Sequence, residues 1–328
     1  MFNKSPVFVL ALLCGCFALL VPAILLASTT FSKNNYDRCG SAGAPCLNSY
    51  GLNGGDVLFL NSTTGGTQWW GEADKSQVTY PGSYNLNYSY AGSGVFSYQR
   101  NADIFWTRAD NHGTMIWPGA VKANATYPGT STPGFAVAAV CDLDGDHVDD
   151  VFWYNPTTGA TQIWHRASKV GVTYPGAQNQ SYSVVACGDF DADGHEDIFW
   201  RNNTTGANEI WYGGVKSAKG YPGAVANLDW TVVGAGDVDG DGFSDVIWYN
   251  TSTGSTQIWP GANKSTATYP GKGAAGFLPV TLADYNNDGQ ADLLWANSTT
   301  RRLQVWPGMV KAAATYPGSY PAGFAPQK

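Results

Sequence analysis

The chain is short of charge, of methionine and of histidine. Of its 328 residues 13% are charged, three are Met and four are His. Intrinsic disorder needs many charges and few aromatics; here 14% of residues are aromatic, so disorder is excluded. A helical period sustained over ten residues is also lacking, and 40 Gly with 17 Pro would interrupt one. That excludes an ordinary helical protein. Basic residues are too few to form a stripe: 18 Lys and Arg stand against 25 Asp and Glu, for a net charge of -7. Nucleic acid is therefore a poor partner.

Long apolar runs are confined to the N-terminus. Lys4 precedes a run from Val7 to Ala27, which reads as a secretory signal over residues 1–27, followed by a lead-in at 28–45. The run is long enough to span a bilayer, so an uncleaved anchor is the alternative; a lipoprotein site at Cys14 or Cys16 is a weaker one, because the apolar run continues past it. Each reading puts the rest of the chain outside the cytoplasm, secreted or at the cell surface, with no other membrane contact. Export permits disulfides. A Cys39–Cys46 loop clip is plausible. Cys141 and Cys187, one repeat apart, either pair or remain two buried thiols.

What the chain has in abundance is repetition. Asp-aliphatic-hydrophobic-aromatic segments begin at Asp56, Asp103, Asp150, Asp197, Asp245 and Asp292. A Trp follows fourteen residues later in each, at Trp70, Trp117, Trp164, Trp211, Trp259 and Trp306. Tyr-Pro-Gly recurs in the same register from Tyr80, Tyr127, Tyr174, Tyr221, Tyr269 and Tyr316. Six units of about 47 residues thus cover 46–328. Each unit reads as four short strands, with the fourth stopped at Pro-Gly in a type II turn. Four strands per unit predict an all-β propeller of six four-stranded blades; a β-solenoid, whose coils are usually shorter, is the alternative. Residues 41–50 are expected to supply the first strand of the first blade.

Four units carry an acidic loop before the second strand. They place oxygen donors at loop positions 1, 3, 5 and 9: Asp142, Asp144, Asp146 and Asp150; Asp189, Asp191, Asp193 and Asp197; Asp237, Asp239, Asp241 and Asp245; Asp284, Asn286, Asp288 and Asp292. Position 7 would add a backbone carbonyl from Val148, His195, Phe243 and Gln290. Such a flexible oxygen cage suits Ca2+ better than Mg2+. The motif positions hold 15 of the 25 acidic residues, and carboxylates so crowded repel without a cation. About four calcium ions are expected. The corresponding loops at 48–56 and 95–103 keep only Asp56 and Asp103, and no metal is expected there.

These loops, with the strands after them, resemble FG-GAP/VCBS repeats, the calcium-binding propeller repeats of integrin α-subunits and many secreted bacterial proteins. The stretch from Asp189 through Asp-Ile-Phe-Trp at 197–200 to Gly206 is especially similar to the bacterial form. The Phe-Gly…Gly-Ala-Pro string of the integrin form is missing. The resemblance implies a propeller with calcium at the residues named, and a scaffold used for adhesion, glycan binding or accessory roles in enzymes.

No catalytic constellation is visible: His112, His147, His165 and His195 stand in loops and turns with no recurring Ser or Cys. The expected function is non-catalytic binding of an extracellular glycan or glycoprotein. A structural block in an extracellular assembly and a calcium-stabilised polysaccharide-active enzyme are the alternatives. The Trp residues are expected mainly in the core. Those followed by Pro, namely Trp117, Trp259 and Trp306, are candidate stacking platforms for sugars. Sequons at Asn61, Asn202, Asn250 and Asn297 share one repeat position, where Asn-x-Thr/Ser is also good turn chemistry.

Overall fold

The second strand of each unit is a continuous apolar run, and such a run is stable only when both faces are covered. A computed structural model, which describes residues 55–96 and 102–327, shows how the covering is done. In the fourth unit the strands Tyr182–Gly188, Asp197–Asn202, Asn208–Trp211 and Lys219–Gly220 form one antiparallel sheet in sequence order. All six residues of Asp197–Asn202 are buried. The fifth unit, Trp230–Gly236 to Thr268–Lys272, and the sixth, Leu278–Ala283 to Thr315–Ser319, repeat the arrangement. In the second and third, the outer strand is reduced to isolated bridges, Ile116 to Thr126 and Ile163 to Thr173 among them. The protein is thus a six-bladed β-propeller.

The apolar faces meet between blades. Among the described residues there are six core clusters, each drawn from two consecutive blades, and one joins Val57, Phe59 and Trp70 of blade 1 to Leu294 and Val305 of blade 6. Within each blade the second-strand aromatic packs on the third-strand Trp, from Phe59–Trp70 at 4.6 Å between ring centroids to Trp200–Trp211 at 4.9 Å. Tilted rings at this spacing are favourable beyond the area they bury.

The turn between second and third strands is built by one asparagine. The Oδ1 atoms of Asn61, Asn155, Asn202, Asn250 and Asn297 each accept the backbone N–H groups two and three residues on, at 2.8–3.1 Å. These side chains are buried. At the four shared sequons the asparagine is a turn-builder whose amide oxygen is engaged in the fold.

Two expectations need correction. The first-strand position of blade 1 belongs to the C-terminus: Ala325–Pro326 pairs with Phe59 and Leu60, not residues 41–50. Closing the ring with the far end of the chain joins its two ends, which a strand contributed by 41–50 would leave unlinked. Residues 41–50, the signal segment, the lead-in and the Cys39–Cys46 clip lie outside the described residues. Second, Pro-Gly stops the fourth strand in blades 1 and 4, where Val78–Thr79 and Lys219–Gly220 end before it, but not in blades 5 and 6. Thr268–Lys272 and Thr315–Ser319 run through it, with a register shift opposite Gln257 and Gln304. An edge strand needs no N–H from proline, and glycine accommodates the bulge, at φ of 129° for Gly271.

Candidate functional site

The loop between first and second strands is organised by its last aspartate. In all six blades Oδ1 of this residue (Asp56, Asp103, Asp150, Asp197, Asp245 or Asp292) accepts a backbone N–H two residues after the third-strand Trp, at 2.7–2.9 Å. Oδ2 accepts the N–H of loop position 2 at 2.9–3.0 Å in blades 2, 4, 5 and 6. The aspartate is therefore a clamp as well as a possible ligand. That explains why blades 1 and 2 keep it without the rest of the acidic pattern.

The residue before the clamp ties each loop to its neighbour. Asp149, Glu196, Ser244 and Ala291 donate their N–H to the carbonyl of Val95, Asp142, Asp189 and Asp237 in the preceding blade, each at 2.7 Å. Positions 4 and 6 of each acidic loop are left-handed: Gly145 and His147, Ala192 and Gly194, Gly240 and Gly242, Asn287 and Gly289. This alternation turns the chain so that Oδ atoms of position 1 collect loop N–H groups, as Asp142 does from Gly145 at 2.8 Å and His147 at 2.8 Å. At Gly145 a side chain would also strike the His195 ring, 2.6 Å from an added Cβ.

Carboxylate oxygens converge to within 4.8 Å of one another in three loops: Asp142, Asp144 and Asp146; Asp189, Asp191 and Asp197; Asp237, Asp239 and Asp245. Asp193 and Asp241 stand outside those triads, each accepting the N–H two residues on. The sixth loop differs, because the Asn286 amide donates to Asp288 at 2.9 Å where the other loops would set two carboxylates together. The third loop has basic side chains set against it. His165 lies 3.1 Å from Asp144 and 3.2 Å from Asp150, and the Arg166 guanidinium donates to Asp146 at 2.7 Å. The sequence pattern places His165 in a turn and gives Arg166 no role. Their loop is distant by fifteen residues and more, and only the blade fold brings it over the acidic one.

The donor set fits a divalent cation on electrostatic grounds. Burial pushes Asp56 and Asp103 up to about 6. Burial together with neighbouring loop carboxylates pushes Asp150 and Asp197 up to about 8, and Asp245 and Asp292 to about 7. The extra rise appears in the four acidic blades, where the surrounding charge is of one sign and a bound cation would reverse it.

The candidate platforms Trp117, Trp259 and Trp306 are each 0% exposed, so they pack blade against blade and present no face to a ligand. Trp259→Ala is expected to cost about 3–5 kcal/mol of stability, read by urea unfolding, because it empties a core position.

The exposed aromatics are others. Tyr80, Tyr127, Tyr174, Tyr221, Tyr269 and Tyr316, one per blade at its outer edge, are 66–72% exposed. Their neighbours have structural work. Each following glycine lies under the stem of a lysine from the next blade: Gly82 under Lys122, Gly129 under Lys169, Gly176 under Lys216, Gly223 under Lys264, Gly271 under Lys311 and Gly318 under Lys75. Five of these ammonium groups cap a carbonyl across the junction, as Lys311 does that of Lys272 at 2.7 Å. Proline blunts the edge strand. Tyrosine is left with little packing of its own; Tyr269 and Tyr316 accept a hydrogen bond from Gln257 and Gln304 at 3.1 Å. The repeated lysine was legible in the sequence, at the same spacing as Tyr-Pro-Gly, but its partner lies 39 or 40 residues away.

Residues 189–248 and 237–295 match the FG-GAP-like repeat family. No curated protein matches the chain. Among solved structures, an Agrocybe aegerita lectin described for specific recognition of non-reducing terminal N-acetylglucosamine superposes with a TM-score of 0.53 at 11% identity, covering 84% of this chain and 86% of that one. The nidogen/laminin complex gives 0.52 at 10% identity, covering 76% and 88%. A streptogramin B lyase gives 0.51 at 8% identity, covering 91% and 84%. At such identities the likeness speaks of fold alone, and it agrees with the blades described above. The chain is a six-bladed β-propeller whose residues 189–295 match FG-GAP-like repeats.

Proposed function

We propose that this protein is a non-catalytic, calcium-supported binding module of the cell exterior, and that its tyrosine rim engages glycans or glycoproteins. The observation that carries the reading is the set of six tyrosines, equivalent by repeat and at least 66% exposed. A buried position repeats because each blade needs the same core; an exposed aromatic has no such reason. Tyrosine offers a sugar an apolar face and a hydroxyl in one rigid side chain. A single such contact is weak, and six on one rigid ring add through avidity by a factor of about 10²–10⁴. A propeller of like fold is described as a lectin, which supports the use of this scaffold for sugar recognition.

Calcium would be held by Asp142, Asp144, Asp146 and Asp150 and their counterparts in the next three blades, with the position-7 carbonyls. It supplies charge neutralisation that rigidifies the loop face. The loop of blade 3, where Arg166 holds Asp146, and that of blade 6, where Asn286 stands in place of a carboxylate, are the weaker sites on this reading.

The test is binding of the exported protein, in calcium, to an array of polysaccharides and glycoproteins. A variant with all six tyrosines changed to Ser is expected to lose at least about 100-fold in apparent affinity, and a three-blade variant an intermediate amount. Undiminished binding by the six-fold variant, with its melting temperature unchanged, would overturn the rim assignment. Self-association abolished by the same changes would favour the assembly role instead.

A further inference from the structure

We propose that Cys141 and Cys187 form a disulfide site that staples blade 3 to blade 4 beside the propeller axis. Cys141 ends the innermost strand Ala136–Cys141, opposite Asp150. Cys187 lies in the innermost strand Tyr182–Gly188, opposite Ile198. The two sulfurs and a carboxylate oxygen of Glu196 all lie within 4.8 Å of one another. Both residues are 0% exposed, and both are thiols in this structure. The Cys187 thiol points across the junction, 3.6 Å from the carbonyl of Val140.

The placement is not a by-product of repetition. A cysteine copied from blade to blade would keep one register position, and these two occupy different ones. The position of Cys141, opposite the clamp aspartate, is filled by Gly94, Gly188, Gly236 and Ala283 in the other blades where a first strand pairs there. The position of Cys187 is filled by Ser93, Val140, Ala235 and Leu282. At the blade 3–4 junction alone, among the described residues, the two positions that meet both carry sulfur. A disulfide needs sulfurs about 2.05 Å apart and Cα atoms about 4.4–6.8 Å apart, so the bond requires the two facing sulfurs to close the gap that remains between them.

Two thiols give up two protons and two electrons, and the acceptor is an external disulfide of the oxidising exterior. One thiolate attacks that disulfide and releases a thiolate. The second attacks the mixed disulfide, forms the Cys141–Cys187 bond and releases the other, so that one external disulfide becomes two thiols. Burial shuts both sulfurs away in the finished fold, so the exchange belongs to folding, before the junction closes. The inference rests on the exported location but not on the tyrosine rim.

The test uses the full chain secreted by its expression host, denatured and alkylated without reductant. Trypsin cuts at Arg166 and Lys169, between the two cysteines. The expected result is one linked pair of peptides carrying Cys141 and Cys187, alkylated only after reduction. Reduction in denaturant followed by refolding should lower the melting temperature by about 10 °C, from loop-entropy loss spread over a domain of this size. The double variant Cys141→Ala/Cys187→Ala should match the reduced protein and ignore reductant. Recovery of both cysteines alkylated, linkage of either to Cys39 or Cys46, or one zinc ion per chain with both thiols recovered would each overturn the staple. An array failure with the link intact would sink the rim and leave the staple standing.

Discussion

Removing divalent cations is expected to lower the melting temperature by at least about 10 °C and to invert its dependence on pH. A site that binds the native state alone adds about 2.7 kcal/mol at a hundred-fold excess over its Kd. Two or three such sites together, at roughly 2–4 °C per kcal/mol, exceed that figure. The pH effect follows from the clamp aspartates. In the metal-free fold Asp150 and Asp197 titrate near 8, and Asp245 and Asp292 near 7, against an ordinary 3.8. Between about pH 4 and 8 the native state therefore binds more protons than the unfolded chain, and stability falls as pH rises through that window. Metal-free protein should melt higher at pH 5 than at pH 8. With calcium the order reverses, because the cation needs ionised carboxylates. Arg166→Gly should tighten the third loop, since it frees Asp146 and removes a side chain from a backbone at φ 53° that is glycine in blades 2, 4, 5 and 6. Calorimetric titration in calcium reads both effects. Superimposable melting curves in calcium and in chelator would remove the metal from the account.

Deleting residues 320–328 is the second large effect: the melting temperature should fall by more than about 10 °C, with a broadened transition. The closing strand pairs with Phe59 and Leu60, and the N–H of Gln327 adds a bond to the Leu58 carbonyl at 2.9 Å. Tyr320 is buried, with its ring 5.5 Å from that of Phe59, and Phe324 packs on the same cluster. Loss of one such buried aromatic costs about 3–5 kcal/mol. The deletion removes Tyr320 and the half-buried Phe324, exposes the edge of Val57–Leu60 and unlinks blade 6 from blade 1. Tyr320→Ala, which keeps the strand, should show a smaller drop with a sharp transition. A deletion variant that melts within about 2 °C of the full chain would show that the ring closes without its last strand.

Much of this protein could be read from residues in order. A six-fold register of Asp, Trp and Tyr-Pro-Gly specifies six blades, because equal units with equal apolar strands bury their faces only against one another. Turn chemistry at Asn155 or Asn202, and the left-handed glycines of the acidic loops, act within a few residues and are legible for that reason.

What the linear pattern leaves undecided involves partners far apart along the chain. Burial of Trp117, Trp259 and Trp306 depends on the neighbouring blade, so a following Pro was no guide to exposure. Exposure of the six tyrosines, inside a motif that reads as a turn, is the same whether the outer strand ends before Pro-Gly or runs through it, because that edge of each blade faces outward. Arg166 reaches Asp146 across twenty residues, and Ala325–Pro326 reaches Phe59 and Leu60 across nearly the whole chain. The sequence by itself determined the repeat, the blade and the acidic loops, through contacts made within one unit. The tertiary structure decided which aromatics face solvent, which loops carry their own counter-charge and which strand closes the ring, since those depend on how one blade sits against the next.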